Sequence, residues 1–121
     1  MSEIVTPAQV ERRLRDLSRE LDEAHENLVQ AEHHYATTKS SYEIAVATTR
    51  IKLSNQSRPD GKNYSVQERE DIALVENKAL HIAMGEADAV VRASRANSVR
   101  IKIQIDSARS VGTLVRAGFD V

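Results

Sequence analysis

The stretch "RASRANSVRIKIQIDSARS" (residues 92–110) carries Val99, Ile101, Ile103 and Ile105 in strict alternation, the pattern of a half-buried strand. It also sets Arg92, Arg95, Arg100, Lys102 and Arg109 against a single acid, Asp106, the pattern of a basic surface. A strand over 99–105 would need a partner strand, and no other segment of the chain supplies one. A helix instead keeps Ile101, Ile105 and Ala108 in step with a longer series. That series is Ala73, Leu80, Met84, Ala87, Val91, Ser94, Ser98, Ile101, Ile105, Ala108 and Val115, missing only at Asn77 and Gly112. β-Branched residues lower helix propensity only modestly, and packing along a seam overrides that loss. The period assigns helix.

Upstream, Thr6-Pro7 reads as a helix start, a hydroxyl cap followed by proline at the first helical position. Val10, Leu14, Leu17, Leu21, Ala24, Leu28, Ala31, Tyr35, Thr38, Tyr42, Ala45 and Thr49 then follow at spacings of 4 and 3, with no Gly or Pro over residues 8–58. A repeat sustained over this length is that of a coiled-coil-like helix. "SNQSRPDGKNYS" (54–65) breaks it, with Pro59-Asp60-Gly61 as turn residues. Ser65-Val66-Gln67-Glu68 reads as a capping box that opens a second helix. The expected layout is one all-α domain, residues 1–121: helix 7–55, turn 56–64, helix 65–112 and a short tail 113–121.

Charge patterning says how the two helices meet. Residues 1–35, 36–58, 59–91 and 92–121 carry net charges of −4, +3, −4 and +4, although the whole chain sums to −1. Folding back about residues 59–60 pairs positions whose numbers sum to about 119 and sets each acidic block beside a basic one. Opposite charges across a seam specify pairing and orientation, so the blocks predict a long antiparallel helical hairpin. With 40% hydrophobic residues, one Phe, three Tyr and no Trp, the chain suits narrow seams of Ala, Val, Leu and Ile better than a bulky core.

A two-helix hairpin buries one stripe per helix and leaves other apolar residues over. Ile44, Val46, Ile51 and Leu53 lie off the seam on the first helix. Ile72, Val75, Ile82, Val90, Val99, Ile103 and Val111 do so on the second. These seven are expected to form an oligomer or partner surface, and assembly into a multi-helix bundle, a homo-oligomer, is the simplest use of them. A protein partner of unknown identity is the other. Arg92, Arg95, Arg100, Lys102, Arg109 and Arg116 are the candidate residues for nucleic acid or another anionic partner. The competing reading is that the acidic first helix neutralises them, since no aromatic residue is interleaved to stack on bases.

No catalytic group is implied. Ser107, Ser110 and Thr113 lack an associated base, and Pro59-Asp60-Gly61-Lys62 lacks the glycine cradle of a phosphate loop. Asp22 and His25 have the spacing of a helical metal-ligand pair, but the second helix has no counterpart, and the adjacent His33 and His34 diverge. The chain has no Cys, so thiolate sites are excluded. Neither a metal nor a cofactor is expected. No signal-like or membrane-length apolar run is visible, so a cytoplasmic protein without membrane contact is expected.

"YEIAVATTR" (42–50), "SVQEREDIAL" (65–74) and "SARSVGTLVRAG" (107–118) resemble a loose group of small helical-hairpin proteins of tailed phages and prophages, especially of actinobacteria. The likeness covers most of the chain. The group has no agreed activity, so the resemblance implies a non-enzymatic phage accessory protein and assigns no functional residue. A protein that binds a host or phage partner is the leading expectation, with interference in host defence or physiology as one outcome. A nucleic-acid-binding factor for replication or recombination, and a virion or tail-assembly component, are the alternatives.

Overall fold

The first helix begins where a reciprocal cap can form. In the computed structural model, which describes residues 5–118, Gln9 N–H donates to Thr6 Oγ1 (3.3 Å) and Thr6 N–H donates to Gln9 Oε1 (2.9 Å). The Gln9 side chain thus satisfies the Thr6 N–H at the helix end, while Gln9 N–H is shared between Thr6 Oγ1 and the Thr6 carbonyl (3.1 Å). The helix, α1, runs without interruption over Pro7–Ser54. The second half of the chain forms α2 (Val66–Glu76) and α3 (Lys78–Arg116), and α1 and α3 pack against each other as a hairpin. The stretch 92–110 is helical throughout.

The single second helix expected over 65–112 is divided. Asn77 departs from helical geometry (φ −106°, ψ 23°). Its side chain provides the reason: Nδ2 donates to the Ala73 carbonyl (2.8 Å) and to Thr49 Oγ1 on α1 (3.1 Å). Asparagine favours such local backbone bonds over regular helix. The break is a kink and not a reversal, because Asn77 N–H still reaches Ala73 O and His81 N–H reaches Asn77 O. At the far end the helix does not stop at 112. It passes through Gly112 and ends at Arg116, just before Gly118 takes a left-handed φ of +83°. Part of the expected tail, residues 113–116, is therefore helical, and residues 119–121 lie outside the described residues.

The chain divides into two compact units. In the unit formed by residues 1–30 and 92–121, Leu17, Ala24, Ile101 and Ile105 make a buried cluster against which Leu14, Leu21 and Ala108 pack. The helices come so close here that a Cβ on Gly112 would stand 2.9 Å from Val10 Cγ1. Ser98 is buried in this seam, and its hydroxyl has no hydrogen-bond partner among the described residues.

The unit of residues 31–91 has a leaner seam, with Ala31, Val46, Leu53, Ala73, Ala87 and Val91 buried. Tyr42 and His81 meet ring to ring across it, with centroids 5.3 Å apart. Val10 faces Gly112 in one unit and Tyr42 faces His81 in the other, so paired residue numbers sum to about 122 where the charge blocks suggested about 119.

Val46 and Leu53 correct the expected seam: both are buried, while Ala45 and Thr49 are only half-buried. A straight α-helix drifts ~20° per heptad from a strict seven-residue repeat. From Val10 to Ala45 is five heptads, and a drift of ~100° moves the buried stripe on by one residue.

The turn is held by backbone bonds and by one arginine. Arg58 N–H donates to Lys62 O (2.8 Å), Gly61 N–H donates to Arg58 O (2.9 Å), and Ser57 and Asn63 form an isolated antiparallel bridge. Gly61 sits at φ +82°. This is a three-residue Pro-Asp-Gly hairpin loop, a tight turn followed by a left-handed glycine. The Arg58 guanidinium bonds Asp60 (3.3 Å) and Glu68 (3.2 Å), tying the loop to the first turn of α2. Ser65 and Glu68 complete the capping box expected from the sequence. The Ser65 backbone N–H, then the Ser65 hydroxyl and the Arg58 charge, hold the Glu68 carboxyl below the usual glutamate range.

Candidate interaction surface

The six cations named from the sequence all lie exposed on α3, and their partners differ. Arg100 donates to Asn97 Oδ1 of its own helix (2.7 Å). Arg109 approaches Asp106 one turn back at 3.9 Å, and Arg116 Nε donates to the Gly112 carbonyl (3.3 Å). Arg92 and Arg95 are already engaged by neighbouring groups. Lys102 is exposed and forms no hydrogen bond or ion pair with a described residue.

Residues of the first acidic block and the last basic block line common grooves, with Arg13 of α1 among them. Arg100 lines a polar groove of about 380 Å³ with Glu20 and Glu23 of α1. Arg116 lines another of about 250 Å³ with Glu11. A third groove of about 350 Å³ is apolar and lies between Val5, Val10, Ala108 and Val111. Arg95, Lys102, Arg109 and Arg116 recur every seventh residue, so they share one flank of the helix at ~10 Å intervals.

The apolar residues named from the sequence separate into two groups. Val75, Ile82, Val90, Val99 and Ile103 are exposed, Val75 most of all at 73%, whereas Ile72 and Val111 are half-buried. Ile44 and Ile51 are also exposed, on α1. Val29, Val66, Leu74 and Leu114 are exposed as well and were not singled out by the sequence reading. Leu114 was missed because the helix was expected to end at Gly112. Val29 and Leu74 fall between seam positions of regular helices, and a tabulation of every aliphatic residue off the 4-3 repeat would have found them.

Histidines do not converge. His81 packs on Tyr42, and among the described residues no three His, Cys, Asp or Glu side chains cluster as metal ligands. Among the described residues no helix is long and apolar enough to cross a membrane. Comparison of the chain with protein-family models, curated proteins and solved structures found no match.

Proposed function

We propose that the chain is a non-enzymatic helical interaction protein of phage type, which binds a host or phage protein in the cytoplasm of a bacterial host. Counteracting host defence or physiology belongs to the same reading. The observation that carries it is the placement of aliphatic side chains toward solvent on regular helices: Val99, Ile103 and Leu114 on α3, and Ile44 and Ile51 on α1, each at least 43% exposed. Apolar groups in water at helical spacing are the material of helix-mediated recognition. The likeness of residues 42–50, 65–74 and 107–118 to phage hairpin proteins supports the phage setting. A photoreactive residue placed at Ile103 in producing cells should give one discrete adduct whose mass differs from that of a self-adduct. That adduct should disappear with Val99→Asp. Adducts only between copies of the chain would overturn the reading.

A second reading is favoured by the seven-residue recurrence of Arg95, Lys102, Arg109 and Arg116. Cations in line along a rod can follow a phosphate backbone, with affinity that falls steeply as salt rises. Paired Lys102→Glu and Arg109→Glu changes should then lower affinity for DNA at low salt. No detectable binding of single- or double-stranded DNA by the unaltered chain would remove this reading.

A further inference from the structure

We propose that two copies of the chain associate through α2, packed antiparallel, with Ile72 and Val75 of each copy forming the apolar centre. The proposal extends the interaction-protein reading by naming one surface and its occupant.

The seam side of α2 is occupied. Ala73 is buried and Asn77 bonds Thr49. On the outward side, half-buried Ile72 and exposed Val75 of α2 are followed, across the break at Asn77, by Ala79 and Ile82 of α3 at spacings of 3, 4 and 3, the spacing of a second coiled-coil seam. Val75 is 73% exposed. A shallow, mainly apolar depression of about 370 Å³ lies beside it, lined by Asp71, Ile72, Val75 and Glu76. Its two aliphatic residues belong to the stripe, and Asp71 and Glu76 border it on either flank.

The flanking charges choose the occupant and its direction. Arg69 and Glu76 lie seven apart on one flank of the stripe, and Asp71 and Lys78 lie seven apart on the other. Each flank thus carries both signs. When a second copy runs antiparallel, like flanks face each other. Ile72 then meets Val75 of the other copy, Arg69 meets Glu76, and Asp71 meets Lys78, each twice by symmetry. A parallel pair would bring opposite flanks together and set Asp71 against Glu76, like against like. The arrangement is self-complementary in one orientation only.

One layer further out, Ala79 meets Glu68 of the other copy, a carboxylate already held by Ser65 and Arg58, and the zipper ends there. Two apolar layers with four exposed ion pairs make a small interface, so the association belongs among weak, salt-sensitive ones.

Sedimentation equilibrium of the full chain, from micromolar to about 1 mM at low salt, should show a monomer–dimer equilibrium. Val75→Asp should abolish it while leaving far-UV helicity intact, because Val75 makes little of the folded seam. Arg69→Glu or Glu76→Arg alone should weaken the dimer about tenfold, and the two together should restore it. A chain that stays monomeric throughout overturns the proposal and leaves heterologous binding through α1 or the later turns of α3 untouched. So does a dimer indifferent to Val75→Asp and to the charge exchange, which would place self-association on another face. If adducts to a foreign protein are also missing, the interaction-protein reading fails separately.

Discussion

The two units solve the same problem, sealing one helix onto another, with different chemistry. Residues 1–30 and 92–121 use large aliphatics: Leu17 is fully buried and Ile101 nearly so. Residues 31–91 bury Val46, Leu53 and Val91 but add small and polar side chains, with Ala73 and Ala87 buried, a Thr49–Asn77 hydrogen bond and a Tyr42–His81 ring contact. Burial stabilises in proportion to the apolar area removed from water, so the first seam gains more per layer. The second seam compensates locally through the Arg58 clamp and the Ser65–Glu68 cap. It also leaves more aliphatic surface unused, including Ile44, Ile51, Leu74, Val75 and Ile82. The lesson is a division of chemistry, with large aliphatics closing one seam and small or polar groups sharing the work in the other.

Truncation should expose the difference most. Leu17→Ala deletes a fully buried side chain and is expected to cost about 3 kcal/mol in urea unfolding. Thr49→Ala in the polar seam should cost about 1 kcal/mol, the worth of one hydrogen bond. Equal losses would erase the contrast.

Glycine substitutions should separate the units in sign. Gly112→Ala drives a Cβ to 2.9 Å from the branched Val10 side chain, and overpacking of this kind costs ~1–3 kcal/mol before the helix-propensity gain of about 1 kcal/mol is returned. Gly85 has nothing within 4 Å, so Gly85→Ala should stabilise by about 1 kcal/mol. Thermal unfolding of both variants checks the pair.

Polar seam groups should also respond oppositely. Ser98→Ala removes a buried hydroxyl that has no partner among the described residues and should raise stability by about 1 kcal/mol. Asn77 is satisfied by Thr49 and Ala73. A double-mutant cycle of Asn77→Ala with Thr49→Ala should therefore show a coupling of ~0.5–1 kcal/mol. A destabilising Ser98→Ala would point to a partner for that hydroxyl.

The smallest effect is the pH response of the cap. Because the Glu68 carboxyl is lowered by Ser65 and Arg58, its contribution is complete above the pH where glutamate ionises in the unfolded chain. It is lost as pH falls through the lowered folded value. Glu68→Gln keeps an acceptor for Ser65 N–H, so its melting temperature should fall less on acidification than that of the unaltered chain.

Most of the architecture was legible in the 4-3 repeat. Every seam residue named on α1 is at least half-buried, from Val10 to Thr49, and so is every one on α2 and α3 from Ala73 to Val115. The exchange of Val46 and Leu53 into the core was not, because a strict heptad count ignores the drift of a 3.6-residue helix over five repeats. The kink at Asn77 showed in the sequence only as a gap in the seam, since its cause is a bond to Thr49, twenty-eight residues away. Of the candidate site, the identities of the cations were legible but their partners were not. Whether an Arg turns to a neighbour such as Asn97 or Asp106 depends on rotamers that periodicity does not encode.

The Pro59-Asp60-Gly61 loop has a further bearing, on the order in which the molecule assembles. Closing a chain segment costs entropy that rises with the logarithm of its length. Arg58 and Glu68 are separated by ten residues, whereas Leu17 and Ile105 are separated by eighty-eight. Three doublings at ~0.6 kcal/mol each put the second closure about 2 kcal/mol behind the first. Zipping therefore starts at the loop, where contacts are weak but near in sequence. It finishes at the Leu17–Ile105 cluster, which closes the seam between the start of α1 and the last turns of α3. Strong packing sits where fraying would begin.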